Sequence, residues 1–299
     1  MSQRESTTRH HLIIKKLRTS QRATFAEIAD YLALESDIQD SNFNTSQRTF
    51  QRDVADIGSI YGIYIKYDFL GKFYYIEEEF EPEVNDRLFE AFDVYNALKI
   101  NEQNKRYIYS EKRHAQGTEH LYGLLHAIKN RLQVSFAYQK YYRENAVQRT
   151  VCPLALKEFK RRWYLVAQDK YDERVKIYAL DRMAELDISK VRFPAKKDFD
   201  LNSMLKHCFG IIIPHGEEPQ RVVLSFEPFQ GKYIKSLPLH ETQKVLIDTD
   251  DELRISLHIY LTHDFKMELL SYGDTVKIIE PKRLAKDMKA IYRTALEQY

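Results

Sequence analysis

The chain has 299 residues, 43% hydrophobic and 30% charged, with a formal net charge of +2, a composition that suits a globular protein of two or three domains, each with its own core. No apolar run approaches the roughly 20 residues of a membrane-spanning helix, and the polar, charged N-terminus has no signal-peptide core, so no membrane partner is expected and the cytoplasm is the expected location. Cys152 and Cys208 lie far apart and match no metal-ligand spacing, which argues against a disulfide scaffold, a zinc site or another metal centre.

Nothing in the motifs argues for catalysis. The nine glycines form no phosphate-cradling loop, and neither a GxSxG elbow nor an HExxH pair is present. The ten histidines are scattered, and adjacent His10 and His11 read as a tail rather than a ligand pair. No catalytic residue, cofactor or metal ligand is assigned, and the chain is expected not to be an enzyme.

The first predicted helix covers about 8–18, where Leu12, Ile13, Lys16 and Leu17 recur at helical spacing. Residues 1–22 carry six basic groups (Arg4, Arg9, Lys15, Lys16, Arg18, Arg22) against Glu5 alone, an excess that suits phosphate contact. Acidic residues such as Glu27, Asp30, Glu35, Asp37 and Asp53 come next, so binding would rest on a local patch. Thr24 and Glu27 form a capping box, opening a helix through Leu32 that turns Phe25, Ile28, Ala29 and Leu32 inward.

The next helix opens with Thr-Ser-Gln-Arg-Thr-Phe-Gln-Arg from Thr45 to Arg52. At ~100° of turn per residue, Phe50, Val54, Ile57 and Tyr61 share one stripe, while Arg48, Gln51, Arg52 and Ala55 lie opposite. Arginine and glutamine are the side chains that bond guanine and adenine edges bidentately in a major groove. After Gly62, residues 63–66 and 72–76 read as two strands joined through 68–71. Each piece alone fits an ordinary small helical domain; three helices and then a hairpin make a winged helix-turn-helix. The expected DNA contacts are Thr45, Ser46, Arg48, Thr49, Gln51 and Arg52, with Lys72 in the wing, and the expected partner is a double-stranded operator. The connection 33–44 is long for such a unit, so an extra turn or short helix is expected there.

Residues 77–93 are strongly acidic and mark a boundary, with Pro82 separating the wing strand from the next helix. Val84, Leu88, Phe89, Phe92, Tyr95, Ala97 and Leu98 show the helical periodicity of that segment. After a polar stretch, 101–116, Leu121, Leu124, Leu125 and Ile128 repeat it. Dimer contacts and packing against a neighbouring domain suit this linker equally well.

From Leu132 the period becomes strand-like. Runs at 133–138, 147–157, 162–168, 174–179 and 183–188 suggest a small barrel, and Pro153 implies an edge or a bulge in the second run. Between 139 and 176 stand ten basic and five acidic residues. Arg174, Lys176 and Tyr178 share a face by alternation, and Tyr138 and Tyr164 supply further rings. The physical expectation is an anionic ligand with a stackable ring. Trp163 alternates with Leu165 and Ala167 and is expected in the core; Arg161 and Arg162 suit a solvated hairpin as well as a ligand surface. The final region reads as strand 221–226, helix 229–236, strands 243–248 and 253–261, helix 263–271 and strand 275–279, a ferredoxin-like order. Pro281 then opens a last helix at its first turn, carrying Leu284, Met288, Ile291 and Leu296.

Trp163-Tyr164-Leu165 resembles the motif that names the WYL domain, with Arg149-Thr150-Val151-Cys152-Pro153-Leu154 ahead of it and Tyr178-Ala179-Leu180-Asp181-Arg182-Met183 behind it. A winged helix carrying Arg48-Thr49-Phe50-Gln51-Arg52-Asp53 is the usual companion of that domain in bacterial regulators. Cys208-Phe209-Gly210-Ile211, residues 222–226, Leu269-Leu270-Ser271-Tyr272-Gly273 and residues 276–281 resemble the family's C-terminal extension. Met183 stands where the family usually has a β-branched aliphatic, a mild swap. The resemblance implies an α+β protein: a winged helix-turn-helix at 1–80, a helical linker at 81–130, an Sm-like five-stranded β-barrel at 131–200 that senses a ligand, and a ferredoxin-like C-terminal α/β domain at 201–299 that dimerises. It adds Arg149 and Arg182 to the ligand contacts. Two functions are compatible with these features: a homodimeric transcription regulator controlled by a nucleotide or single-stranded effector, or an accessory single-stranded RNA/DNA-binding protein whose winged helix is auxiliary.

Overall fold

Helix α1 (Gln3–Ser20) is covered on more sides than a simple amphipathic pattern requires. Thr8, Arg9, His10 and His11 are buried together with Leu12, Ile13, Ile14 and Leu17, because α2 (Phe25–Ile38), α3 (Gln47–Tyr61) and a two-stranded hairpin all pack against it. The computed structural model describes residues 3–39, 41–101, 117–142, 144–194, 200–214 and 216–299. The polar stretch 102–116, Arg143 and the side chains of Arg4 and Leu98 lie outside the described residues. Two units are present, Met1–Glu111 and Lys112–Tyr299.

In the first unit, the capping box at the start of α2 is in place: the Glu27 amide donates to Thr24 Oγ1 at 3.3 Å and the Thr24 amide to Glu27 Oε2 at 2.7 Å. The surplus length expected as an extra turn belongs to α2 itself, which runs to Ile38. Its last turn is held by Ser36, whose hydroxyl donates to the Leu32 carbonyl at 2.7 Å and accepts from the Phe43 amide at 2.8 Å. Helix α3 begins at the Ser46 cap and stops at Gly62, whose φ of 64° suits glycine. Strands β1 (Ile63–Asp68) and β2 (Phe73–Glu79) pair antiparallel. Ala23 bridges Tyr74 through two backbone bonds of 3.0 and 2.7 Å, fixing the hairpin to the α1–α2 turn. Helix α4 (Pro82–Asn101) comes next, with Phe89 buried in the same core.

The second unit starts with a 3-10 turn at Thr118–His120 and α5 (Leu121–Asn130), which packs Leu124 and Ala127 into a barrel core. The stretch 81–130 is therefore divided, α4 belonging to one unit and α5 to the other. Gly117, at φ 92°, lies where a Cβ would come within 2.5 Å of the Leu180 carbonyl carbon. Strands β3 (Leu132–Tyr138), β4 (Val147–Phe159), β5 (Arg162–Asp169), β6 (Val175–Ala179) and β7 (Met183–Arg192) form one antiparallel sheet in the order β6-β5-β4-β3-β7. Its two outer strands are joined by the 3-10 turn Leu180–Arg182, so the sheet curls into the expected Sm-like barrel. The β4–β5 register shifts between Pro153 and Ala155, where proline breaks the ladder as a bulge.

After the short α6 (Leu201–Leu205), β8 (Gln220–Phe226), α7 (Pro228–Ser236), β9 (Lys244–Asp248), β10 (Leu253–Ile259), α8 (His263–Ser271) and β11 (Val276–Glu280) build a sheet in the order β11-β8-β10-β9. That is the ferredoxin-like arrangement, closed by α9 (Lys282–Leu296), which buries Leu284 and Met288. Pro281 caps α9 from outside rather than occupying its first turn, and Leu296 is exposed rather than packed. No described helix is long and apolar enough to cross a membrane.

Candidate nucleic-acid interfaces

The two faces of α3 divide as its periodicity requires. Phe50 and Ile57 are buried, the Phe50 ring packing on Phe25 and Tyr74 at 5.4 and 4.9 Å, while Arg48, Gln51, Arg52 and Ala55 are exposed on the other side. Arg48 and Arg52 have no ion-pair partner among the described residues. Gln51 is committed differently: its Nε2 donates to the Tyr74 hydroxyl at 2.8 Å, tying the helix to the hairpin and occupying the donor that adenine recognition would need. Ser46 accepts from the Thr49 amide at 3.2 Å and meets the Thr49 hydroxyl at 3.0 Å; half-buried Thr45 donates to the Ser46 carbonyl at 3.2 Å. Lys72 is exposed in the hairpin turn. There, Asp68 Oδ1 accepts from the Leu70 and Gly71 amides at 2.8 Å each.

The basic N-terminal stretch is used largely inside the protein. Arg9 Nε and Nη2 donate to Asp53 Oδ2 and Oδ1 at 2.7 and 2.8 Å, and His10 Nε2 lies 3.2 Å from the same carboxylate. Burial alone would raise the Asp53 carboxyl, but the hydrogen bonds from Arg9 and His10 outweigh it and hold it below its ordinary value. Arg18 pairs with Glu79 and with Asp86, the latter at 2.6 Å, and His11 with Asp93 at 3.0 Å. Burial lowers the His11 pKa despite the opposing pull of Asp93. Arg9 and Arg18 are thus counter-charges to Asp53 and the acidic stretch, not phosphate contacts, and His10 and His11 are core residues, not a tail. His10, Asp53 and Asp56 bring ligand atoms within 4.8 Å of one another. Both Asp53 oxygens are already held by the Arg9 fork, so a cation there would have to displace a buried guanidinium.

In the barrel, three expected ligand residues converge on one internal carboxylate. Asp169, 1% exposed, accepts at Oδ2 from Tyr178 at 2.8 Å, Lys176 at 2.9 Å and Arg149 at 3.4 Å, and at Oδ1 from the Tyr171 amide at 2.8 Å. Burial would raise this carboxyl; the bonds from Lys176, the Tyr171 amide and Tyr178 prevail and bring it to about 2. Lys176 also meets Asp172 at 2.6 Å. Arg174 is exposed just before β6 and enters this cluster by its backbone alone, its carbonyl accepting from the Asp169 amide at 2.9 Å and its amide donating to Asp172 Oδ1 at 3.2 Å.

A second cluster forms at the Leu180–Arg182 turn. The Arg182 guanidinium lies over the rings of Tyr141 and Tyr138, 4.6 and 5.5 Å from their centroids. Arg162 Nη1 donates to Asp181 at 3.1 Å and more distantly to Tyr141 at 3.5 Å. Buried Arg149 Nε and Arg182 Nε have no hydrogen-bond partner among the described residues. Tyr138, Tyr164 and Tyr178 are buried. Tyr138 accepts from the Ala179 amide at 3.2 Å and stands perpendicular to Tyr178 at 5.1 Å, so these rings offer packing rather than a surface for stacked bases. The rings that do face solvent are Tyr141, Tyr142 and Tyr171, at 73%, 78% and 89% exposure. Alternation missed them because they sit in turns; the signal was the pair of tyrosines beside Lys140, whose ammonium lies 5.6 Å from the Tyr142 centroid. Trp163 is half-buried against the barrel core, as its alternation requires.

The WYL domain family matches residues 119–188 and the WCX domain family residues 218–296. The chain therefore carries a WYL domain followed by a WCX domain. No curated protein matches it. Among solved structures, proteasome accessory factor B/C (PafBC) of Arthrobacter aurescens is similar at 16% identity over 96% of this chain and 46% of that one, with a TM-score of 0.35. A CRISPR Cas-related protein is similar at 12% identity over 61% of this chain and 52% of that one, with a TM-score of 0.37. The chain spans about half the length of each.

Proposed function

We propose that the chain is a homodimeric regulator whose α3 reads a double-stranded operator through Arg48 and Arg52, and whose barrel senses an anionic nucleotide or short single strand. One observation carries the reading: two arginines a turn apart stand exposed and, among the described residues, unpaired on a helix face opposite the core, while Arg9 and Arg18 in the same unit are matched to carboxylates. Gln51 acts as the brace that sets the wing, and Lys72 as a phosphate contact. For the effector, the outward-facing groups are Arg162, Tyr141 and Tyr142, beside half-buried Arg182, with Arg149 and Lys176 answering from beneath through Asp169. Apolar side chains left exposed on α4 (Val84, Leu88, Tyr95) and near the end of α9 (Tyr292, Leu296) support dimerisation, and paired half-sites would multiply the few base pairs one helix reads. In this reading the chain binds and carries out no catalysis.

The test is selection of bound sequences from a random duplex pool, followed by titration of the winning duplex with short single strands. A recovered pseudo-palindrome whose affinity changes with the strand supports the proposal. The exposed Tyr141, Tyr142 and Tyr171 favour a second reading, a single-strand binder. It is preferred if single strands bind tightly and no duplex is enriched.

A further inference from the structure

Beyond the barrel surface, a cavity of about 930 Å³ opens beside the far end of β4, walled by Phe159, Leu205, Phe209, Leu239 and Tyr272. Its lining from 202 to 210 lies between the two matched domains and belongs to neither. The volume is in the range of small-molecule sites, which typically combine apolar walls with a few placed polar groups.

We propose that this cavity binds a small oxyanion carried on a flat aromatic body. Lys157 is half-buried on β4 and lines the cavity. Its hydrogen-bond acceptor among the described residues is the Cys208 carbonyl, at a long 3.5 Å. Asp264 and Glu241 attract it only through space, and burial lowers its pKa despite them. An ammonium desolvated without a carboxylate in contact is an incomplete ion pair. His240, another lining residue, lies near enough to feel the Lys157 charge, and its Nδ1 is fixed 2.9 Å from Thr242 Oγ1. The two side chains form one corner in which Lys157 carries the charge and His240, whose pKa burial lowers, is the neutral partner. Across the cavity, Lys160 is already satisfied by Glu268 at 2.8 Å, which also accepts from Tyr272 at 2.9 Å, so that wall makes no demand for an external charge.

The apolar side supplies the shape. Phe159 and Phe209 stand perpendicular at 5.9 Å, with Phe265 behind Phe209 at 5.3 Å, a rigid wall against which a ring can lie. Cys208 is not a reacting group here: its thiol donates to the Met204 carbonyl at 3.2 Å and burial raises its pKa, which keeps it protonated. The site holds a ligand and does no chemistry on it. Anion binding would restore charge at the corner, drawing a proton to His240. Burial is the main cause that lowers the His240 pKa; Lys157 and His207 lower it further, while Glu241 and the Cys208 backbone oppose them.

A nucleoside monophosphate and an aromatic carboxylic acid share this chemistry. The full chain is titrated calorimetrically with adenosine monophosphate, salicylate and inorganic phosphate, as wild type, Lys157→Met and Lys157→Arg, with thermal melting to establish folding. One ring-bearing anion is expected to bind about tenfold or more tightly than phosphate. Lys157→Met should weaken it about tenfold or more while Lys157→Arg retains most of it, and affinity should rise as pH falls through the His240 range. Methionine removes the buried charge along with its partner demand, so folding is expected to survive. The better of the two ring-bearing ligands assigns the source. Equal affinity of wild type and Lys157→Met, phosphate binding as tightly as the ring-bearing anions, or no binding to folded wild type at millimolar ligand would each overturn the proposal.

Discussion

On α3, Arg48 and Arg52 stand in solvent with no carboxylate against them among the described residues, whereas in the barrel Arg149 and Lys176 close on Asp169 and Arg162 closes on Asp181. Both regions present basic side chains, yet their cations differ in what a ligand would have to do. An unpaired arginine can take a base edge or phosphate without losing another bond. A paired one must exchange partners, and an exchange is able to shift the balance between two arrangements of the surrounding structure. The free cations suit recognition and the matched ones suit sensing; a third group, Arg9 with Asp53, is so deeply matched that it serves only the fold.

The largest expected effect lies in that third group. Asp53→Ala strands the buried Arg9 guanidinium and should cost about 3–5 kcal/mol in denaturant unfolding of the first unit, most of it recovered when Arg9→Met is added. A loss below about 1 kcal/mol would mean that the pair is wet and the distinction between matched and free charges too sharp.

A smaller loss, about 1–3 kcal/mol, is expected for Asp169→Ala, because Lys176 and Arg149 are only partly buried and can turn to solvent. The same carboxylate gives the barrel a pH signature. Its folded pKa of about 2 lies below the ordinary 3.8, so the unfolded chain binds more protons between those values. The stabilisation is complete above the upper value and disappears as pH falls through the lower one. Acid titration of the near-ultraviolet circular dichroism should show this loss in the wild type and not in Asp169→Asn. The smallest effect is expected at the wing, where Lys72→Ala should reduce the salt-dependence slope of DNA binding by about one and leave stability unchanged.

Much of this architecture was legible in the residues because backbone periodicity is a local property. Helix α8, the ferredoxin-like order, the five barrel strands and the bulge at Pro153 are dictated by alternation, caps and a missing amide. The packing and solvent faces of α3 came from the same arithmetic. Pairing was not legible, since Arg9 finds Asp53 and Arg18 finds Glu79 only once three helices and a hairpin have assembled. Charge counted along residues 1–22 therefore overstated what is available to phosphate. Tyr138, Tyr164 and Tyr178 failed as surface rings for a related reason: alternation assigns side chains to faces, but in a barrel this small one face is the core. The cavity beside Lys157 was invisible because its walls come from β4, the α6 region, the loop before β9 and α8.

If Arg48 and Arg52 read bases while the remaining contacts only position the helix, as proposed, the ratio of affinities for a selected operator and a random duplex depends on both side chains. Arg48→Ala and Arg52→Ala should each lower affinity for the operator by about 1–3 kcal/mol and leave random-duplex binding nearly unchanged, so the ratio collapses toward one. If both variants instead lose affinity equally for the two duplexes and the ratio survives, these arginines touch only phosphates and α3 is not the reading element.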